Sequence, residues 1–289
     1  MGDIAIDSSV ARKAKDTAAG FVGGAVQVLI GQPFDLIKVR MQTGGASGSL
    51  LGAVRSVVRT EGVGAFYKGT ASPLLGVGAC VSVQFYAFHE ARRALLRGRS
   101  GELSMGQFYV AGAVAGVANA PIAGPVEQVR ILLQAQTDGR YAGPRDVVRR
   151  LYAAGGVRAL FRGQAVTLLR EAQAYGLWFV TFEALMGRLA GWHGRRDAVP
   201  TWQVAACGAA AGEVLWLGSY PLDVIKSRVQ SDGIGAEQRY RSARHAAAVL
   251  YREAGLAGFW RGLVPTLLRA TPCSAGTFAT VELTMRLLG

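Results

Sequence analysis

The chain has 289 residues and a net charge of +13, yet only 18% of its residues are charged. Apolar residues make up 51% of it, with 39 glycines and a mean hydropathy of +0.24. That combination argues against an ordinary soluble domain, which carries more charge and less glycine; small residues are instead common where membrane helices pack together. Residues 1–16 mix Asp3, Asp7 and Asp16 with Arg12, Lys13 and Lys15. This is too acidic for a transit peptide, so targeting information is expected within the mature chain. Six Gly/Ala-rich apolar stretches follow, at residues 17–30, 72–88, 108–126, 165–185, 203–220 and 263–288. None is an unbroken apolar run of about twenty residues, the length that spans a bilayer as a helix.

What joins the six stretches is an internal repeat. The segment PFDLIKVRMQ beginning at Pro33 returns as PVEQVRILLQ at Pro125 and as PLDVIKSRVQ at Pro221, the prolines lying 92 and 96 residues apart. Each repeat is long enough for two helices and a connector. Each copy sets an acid and a base three residues apart on one helical face, directly after a helix-kinking proline. The pairs are Asp35 and Lys38, Glu127 and Arg130, and Asp223 and Lys226, followed by Gln42, Gln134 and Gln230. Glycines precede each proline by 13 and 9 residues: Gly20 and Gly24, Gly112 and Gly116, Gly208 and Gly212. They remove bulk where helices approach one another.

After each motif comes a polar connector, a short amphipathic segment (near residues 52–60, 144–153 and 241–254) and an aromatic–basic–glycine triplet. The triplets are Tyr67-Lys68-Gly69, Phe161-Arg162-Gly163 and Trp260-Arg261-Gly262. Each opens the next apolar stretch, where helix N-terminal N–H groups and a nearby cation suit a phosphate-bearing lipid headgroup. The connector cations Arg55, Arg59, Arg145, Arg149, Arg150, Arg244 and Arg252 mark one membrane face. Cys80, Cys207, Cys273, His89, His193 and His245 are scattered singly, so neither a disulfide framework nor a metal site is expected. No nucleophile–base pair, dinucleotide fingerprint or phosphate-binding loop is evident, and no catalysis or cofactor is expected.

The threefold Pro-x-Asp/Glu-x-x-Lys/Arg-x-Lys/Arg-x-Gln pattern, spread over essentially the whole chain, resembles the mitochondrial carrier family. The resemblance implies an all-α membrane protein of the mitochondrial inner membrane. It would be multi-pass and monomeric, with six transmembrane helices in three pseudo-threefold repeats and three short matrix helices. The repeats would cover residues 1–100, 101–196 and 197–289 of one integral unit. The partners implied are a small-molecule solute and an anionic lipid such as cardiolipin, held at Lys68 and Gly69, Arg162 and Gly163, and Arg261 and Gly262; nucleic acid is not among them. The motif residues form a matrix gate in which Asp35 pairs with Arg130, Glu127 with Lys226 and Asp223 with Lys38, braced by Gln42, Gln134 and Gln230. Leu132 departs from the pattern, standing where a second basic residue is usual. On the opposite side Glu90 and Arg93 fit the acid–base spacing, whereas Glu183 and Glu282 are followed at that offset by Met186 and Met285. A weak cytoplasmic network is therefore expected.

Seven residues past each triplet glycine lie Gly76, Arg170 and Arg269, positions that line the substrate site in this family. Arginine grips a carboxylate through two parallel hydrogen bonds, and the neighbouring Glu171 can receive an ammonium group. Residues adjacent on a helix do not face each other, so Arg170 and Glu171 are expected to serve the solute rather than each other. Glu213 is a second acid eight residues before Pro221, and Gln27 and Asn119 each lie six residues before their own proline. Gln84 and Gln173 are further cavity candidates. The Arg-Glu pair and the segment LLRATPCSAGTFATVE resemble the branch containing carnitine/acylcarnitine and basic amino acid carriers, and within it fungal amino-acid-related carriers. The function implied is transport, by alternating access and antiport, of an amino acid or related zwitterion. The alternative is an acylcarnitine or organic carboxylate carrier, whose bulky substrate Tyr175 and Trp178 would obstruct.

Overall fold

A computed structural model describes the backbone of residues 2–44, 49–97, 103–233, 235 and 238–288. Side chains are described at these positions except 2–21, 75, 77, 274, 278, 279, 281, 282, 285, 286 and 288. Six long helices are present: α1 (Gly2–Thr43), α3 (Ala71–Leu96), α4 (Met105–Ala135), α6 (Gln164–His193), α7 (Thr201–Ser231) and α9 (Leu263–Leu288). Three shorter ones, α2 (Leu50–Glu61), α5 (Pro144–Leu160) and α8 (Ala243–Ala254), follow α1, α4 and α7. No strand occurs among the described residues. Judged singly, only Met105–Ala135 among the described residues is long and apolar enough to cross a membrane, with a bent pair around α3 as a second candidate. The other long helices qualify through the repeat rather than through their own composition.

Elementary capping sets the starts of the shorter elements. Ser49 accepts a hydrogen bond from the amide of Gly52 at 3.1 Å, and Ser242 from that of His245 at 3.1 Å. Ser104 and Gln107 close a reciprocal capping box at the start of α4. On α5, Asp146 accepts from the Ala142 amide at 3.1 Å and from Arg150 at 3.0 Å; the Arg150 bond holds this carboxyl below its ordinary range. Each short helix buries two residues four apart: Ala53 and Val57, Val147 and Leu151, Ala246 and Leu250. They pack on the segment that follows the motif proline, against Leu36 and Ile37, Val129 and Leu133, and Val224 and Val229. α2 and α8 end, and α5 kinks, where Gly62, Gly255 and Gly156 take φ of 80°, 59° and 61°. The triplet glycines Gly69, Gly163 and Gly262 turn the chain again at 81°, 76° and 85°. Both turns use the left-handed region that favours glycine, which is why these positions punctuate all three repeats.

The long helices close into a ring in the order α1, α3, α4, α6, α7, α9. Contacts between repeats (α3 with α4, α6 with α7, α9 with α1) are extensive. Within repeats, α4 lies tightly on α6, whereas α1 with α3 and α7 with α9 touch sparsely. The glycine pairs account for the difference. A Cβ at Gly112 would collide with the Tyr175 carbonyl and one at Gly116 with the Glu171 carbonyl, so α4 approaches α6 through them. Gly24, Gly208 and Gly212 meet nothing within 4 Å, and the surroundings of Gly20 lie outside the described side chains. Among the described residues, the close approach read into all three pairs is therefore realised in the second repeat only.

Candidate functional site

At the centre of the ring is a cavity of about 350 Å³. Its floor is the set of three motif pairs: Asp35 with Arg130 at 2.7 Å, Asp223 with Lys38 at 2.8 Å and Glu127 with Lys226 at 2.5 Å. The pairs run α1 to α4, α4 to α7 and α7 to α1, tying the three proline-bearing helices together in a closed triangle. Burial costs each ion several kcal/mol of hydration, and removing one partner from such a pair costs about 3–5 kcal/mol. The floor is thus firm while intact and weak once a competing charge arrives.

Of the three glutamines read as braces, Gln42 donates to Asp223 at 3.0 Å. Gln134 and Gln230 do not brace a pair. Their side chains lie over Gly69 and Gly163 of the neighbouring triplets, and Gln230 donates instead to Thr167 at 3.4 Å. A fourth glutamine does act on the floor: Gln32 accepts from Arg130 at 2.8 Å and donates to the Lys68 carbonyl at 2.6 Å. Its position directly before Pro33 was the available signal. Tyr220, directly before Pro221, likewise donates to the Arg261 carbonyl at 3.2 Å.

Below the floor, Arg40 reaches Glu61 at 2.8 Å and the Gln134 carbonyl at 2.6 Å. Arg228 reaches Glu253 at 3.2 Å and the Gln42 carbonyl at 2.9 Å. In the second repeat Leu132 takes the place of the base, and residues 153–156 offer no acid. Leu132 instead packs with Val129, Tyr141, Val147 and Leu151. Both members of the ion pair have been exchanged for apolar packing, and no charge is stranded.

Above the floor the structure gathers Arg170, Glu171 and Arg269. Arg269 reaches Asp35 at 3.4 Å and lies 5.9 Å from the ring centroid of Trp216, which also sits 4.1 Å from the Lys38 ammonium. Gly31 leaves room for this arginine: a Cβ there would come within 3.1 Å of its guanidinium. Arg170 reaches Glu127 at 3.3 Å. It also pairs directly with Glu171, contrary to the expectation that adjacent helical residues point apart. The long guanidinium arm folds across the helix surface, and burial of both groups, at 7% and 2% exposure, drives them together. Glu171 in turn accepts from Asn119 at 3.3 Å. Gln27, Gln84, Cys80 and Tyr175 also line the cavity.

Three sequence candidates fall outside the lining. Gly76 has no side chain to present, and Val126 covers it. Glu213 lies three residues before Trp216, so it stands about 4.5 Å farther from the floor along α7, half-buried and clear of the enclosed volume. Gln173, on the other side of α6, accepts from Tyr109 at 2.5 Å.

Two of the three triplet cations are committed to carboxylates of their own chain. Lys68 pairs with Glu61, and Arg162 with Asp232 at 2.5 Å. Only Arg261 of the three is exposed and without an ion pair among the described residues, and an anion at the other two triplets would meet backbone amides first. At the far end of the ring, Glu90 and Arg93 pair within α3 at 2.7 Å. Glu183 holds Arg196 at 2.6 and 2.9 Å. Among the described residues no ion pair there joins one long helix to another; Glu282, Met285 and Arg286 lie outside the described side chains.

Comparison with known proteins agrees with this architecture. The chain is 40% identical to the "Glutamate/glycine mitochondrial carrier ymc1" of Schizosaccharomyces pombe, over 98% of this chain and 97% of the relative. It is 42% identical to the "Mitochondrial glycine transporter YMC1" of Saccharomyces cerevisiae, over 96% and 93%. The human "Mitochondrial basic amino acids transporter" is 38% identical over 94% and 90%. The family described as "Mitochondrial carrier protein" matches three times, at residues 11–99, 101–191 and 197–289. With one match for each turn of a ring floored by three ion pairs, the chain belongs to the mitochondrial carrier family, whose members are multi-pass solute transporters of the mitochondrial inner membrane.

Proposed function

We propose that this chain carries an amino acid across the mitochondrial inner membrane by alternating access and antiport. The solute carboxylate binds at Arg269 and its ammonium group at Glu171. The observation that carries this reading is the shared partner of Arg269. Asp35 lies 3.4 Å from Arg269 but only 2.7 Å from Arg130, which leaves the Arg269 guanidinium the least satisfied cation in the cavity. Across the cavity Glu171 supplies the complementary charge. The relatives' names, which give glutamate, glycine and basic amino acids, share the α-amino acid group that this pair of charges fits. No catalytic step, cofactor or metal enters the reading; an organic carboxylate would leave Glu171 without a solute partner, and the acyl chain of an acylcarnitine would have to pass Tyr175, which lines the cavity.

The gate follows from the same contacts. Arg269 and Arg170 each touch a floor acid, Asp35 and Glu127. A solute carboxylate that takes Arg269 withdraws it from Asp35, and one that also draws on Arg170 withdraws that from Glu127. Binding thereby breaks the two contacts that tie α9 to Asp35 and α6 to Glu127, which frees those helices to move relative to the floor as the matrix side opens. A ligand shifts such an equilibrium only by its differential affinity for the two states, and this competition is the source of that difference. The far end, with no ion pair between long helices among the described residues, adds little to the barrier for opening toward the cytoplasm. We read the protein as a membrane-embedded monomer of three repeats. The N-termini of α3, α6 and α9, at Gly69, Gly163 and Gly262, are the seats for an anionic lipid such as cardiolipin, with Lys68, Arg162 and Arg261 beside them.

The test is uptake into liposomes holding the purified protein. The labelled panel would contain glutamate, glycine, ornithine, arginine, carnitine and malate, each with and without internal solute. Saturable amino acid uptake, dependent on internal solute and abolished in Arg269→Ala with the variant still folded, is the expected result. Uptake of malate or carnitine alone would overturn the reading.

A further inference from the structure

Beneath a hydrogen bond that crosses the cavity, the structure holds an acceptor with nothing to accept. Asn119, only 3% exposed, donates its amide N–H to Glu171 at 3.3 Å. Because an ionised carboxylate only accepts, this contact fixes which end of the amide faces it. The carbonyl end, Oδ1, therefore points elsewhere, and it is buried without any hydrogen-bond partner. A buried polar atom left unpaired costs free energy, so this oxygen awaits an N–H donor. Asn119 and Glu171 both line the cavity. About 6 Å farther along α6, Tyr175 accepts from Gln84 of α3 at 2.5 Å. α3 and α6 are not neighbours in the ring, since α4 stands between them. The Gln84–Tyr175 bond therefore passes across the inner face of α4, on the side away from the floor.

We propose that Asn119 and Glu171, roofed by Tyr175 and Gln84, form an ammonium subsite that selects primary amines and rejects N-methylated ones. The inference rests on the amino acid reading above and adds the feature that recognises the nitrogen. A primary ammonium offers three N–H donors, one for the Glu171 carboxylate and one for the idle Asn119 oxygen. Each methyl group removes a donor and adds bulk beneath the roof. A trimethylammonium keeps the charge but satisfies neither oxygen by hydrogen bonding. Charge alone cannot distinguish the two ions, and the orphaned amide oxygen can.

The experiment is competition in proteoliposomes importing labelled glycine or glutamate. The competitors are the unlabelled amino acid, its N-methyl form and its N,N,N-trimethyl form. The wild-type protein should lose affinity stepwise, by about tenfold or more from the primary amine to the trimethyl form. In Asn119→Ala that ratio should shrink to within about twofold, with Asn119→Ser as a second variant should the first fail to fold. Tyr175→Phe, which keeps the ring but frees Gln84, should relax the ratio part of the way. Equal competition by all three forms overturns the proposal, as does full discrimination retained in Asn119→Ala. If neither glycine nor glutamate is imported or competes at all, the amino acid reading itself falls, and this subsite falls with it.

Discussion

Gly31 and Arg269 illustrate how little of a binding site its charged residues declare by themselves. Arg269 was legible through its offset from the third triplet, but the absence of a side chain that makes room for it was not. A glycine two residues before a proline, in a chain with 39 glycines, carries no signal of its own. A Cβ at Gly31 would stand 3.1 Å from the Arg269 Nη1, 3.2 Å from the Cys273 Sγ and 3.3 Å from the Arg269 Cδ. Two of these neighbours belong to a flexible side chain, which can yield by a few tenths of an ångström. Gly31→Ala is therefore expected to leave the fold intact and raise the KM of uptake several-fold. Gly31→Val should nearly abolish uptake while the protein stays in the membrane. Thermal unfolding measured beside uptake separates the two effects; an unchanged KM in Gly31→Val would show that Arg269 does not touch the solute. The Arg170–Glu171 contact was missed for a related reason. Helical spacing gives the direction of the Cβ but not the reach of a long guanidinium arm drawn toward a buried carboxylate.

At the scale of elements, three repeats that read alike have been put to unlike use. The sequence makes the helix order, the short helices and both glycine turns legible, because local chemistry fixes each. Which seams are tight is not legible, because it depends on how the helices lean in one conformer. In the second repeat a Cβ at Gly116 would meet the Glu171 carbonyl and lie 3.0 Å from the Ala172 amide, both backbone atoms that cannot move aside. Gly116→Ala should thus destabilise by about 1–3 kcal/mol, as overpacking does, and lower the melting temperature of the purified protein. Gly24→Ala and Gly212→Ala meet nothing within 4 Å. By helix propensity they should leave that temperature unchanged or raise it slightly. Yet Gly24, Gly208 and Gly212 stand unused in this state, and pseudo-threefold symmetry gives them a use in another conformer. Those two substitutions are therefore expected to slow transport without weakening this state. Normal uptake in both would mean that the first and third seams never close.

For the whole molecule, the decisive quantity is the charge left over once the pairs are counted. Among the described residues lining the cavity, Lys38, Arg130, Arg170, Lys226 and Arg269 are cationic, and Asp35, Glu127, Glu171 and Asp223 are anionic. Lys38, Arg130 and Lys226 are matched by floor acids, and Arg170 by Glu171, which leaves Arg269 as the surplus within the lining, with Glu213, outside it, the further acid that interacts with this arginine. The cavity is walled by largely apolar helices, where a single charge is screened less than in bulk water. A solute of net charge −1 restores balance, a neutral zwitterion leaves the surplus standing, and a dibasic amino acid adds to it. Glutamate should therefore bind more tightly than glycine, and glycine more tightly than ornithine or arginine, with about tenfold or more between the extremes. Ligand-dependent shifts in melting temperature of the purified protein report these affinities without requiring transport, because a ligand that binds the folded state stabilises it by RT ln(1 + [L]/Kd). Arg269→Gln removes the surplus and should flatten the order even where uptake is lost. If ornithine stabilises the wild-type protein as well as glutamate does, the leftover charge does not choose the solute, and selection must then rest on the fit of the side chain rather than on the field of the cavity.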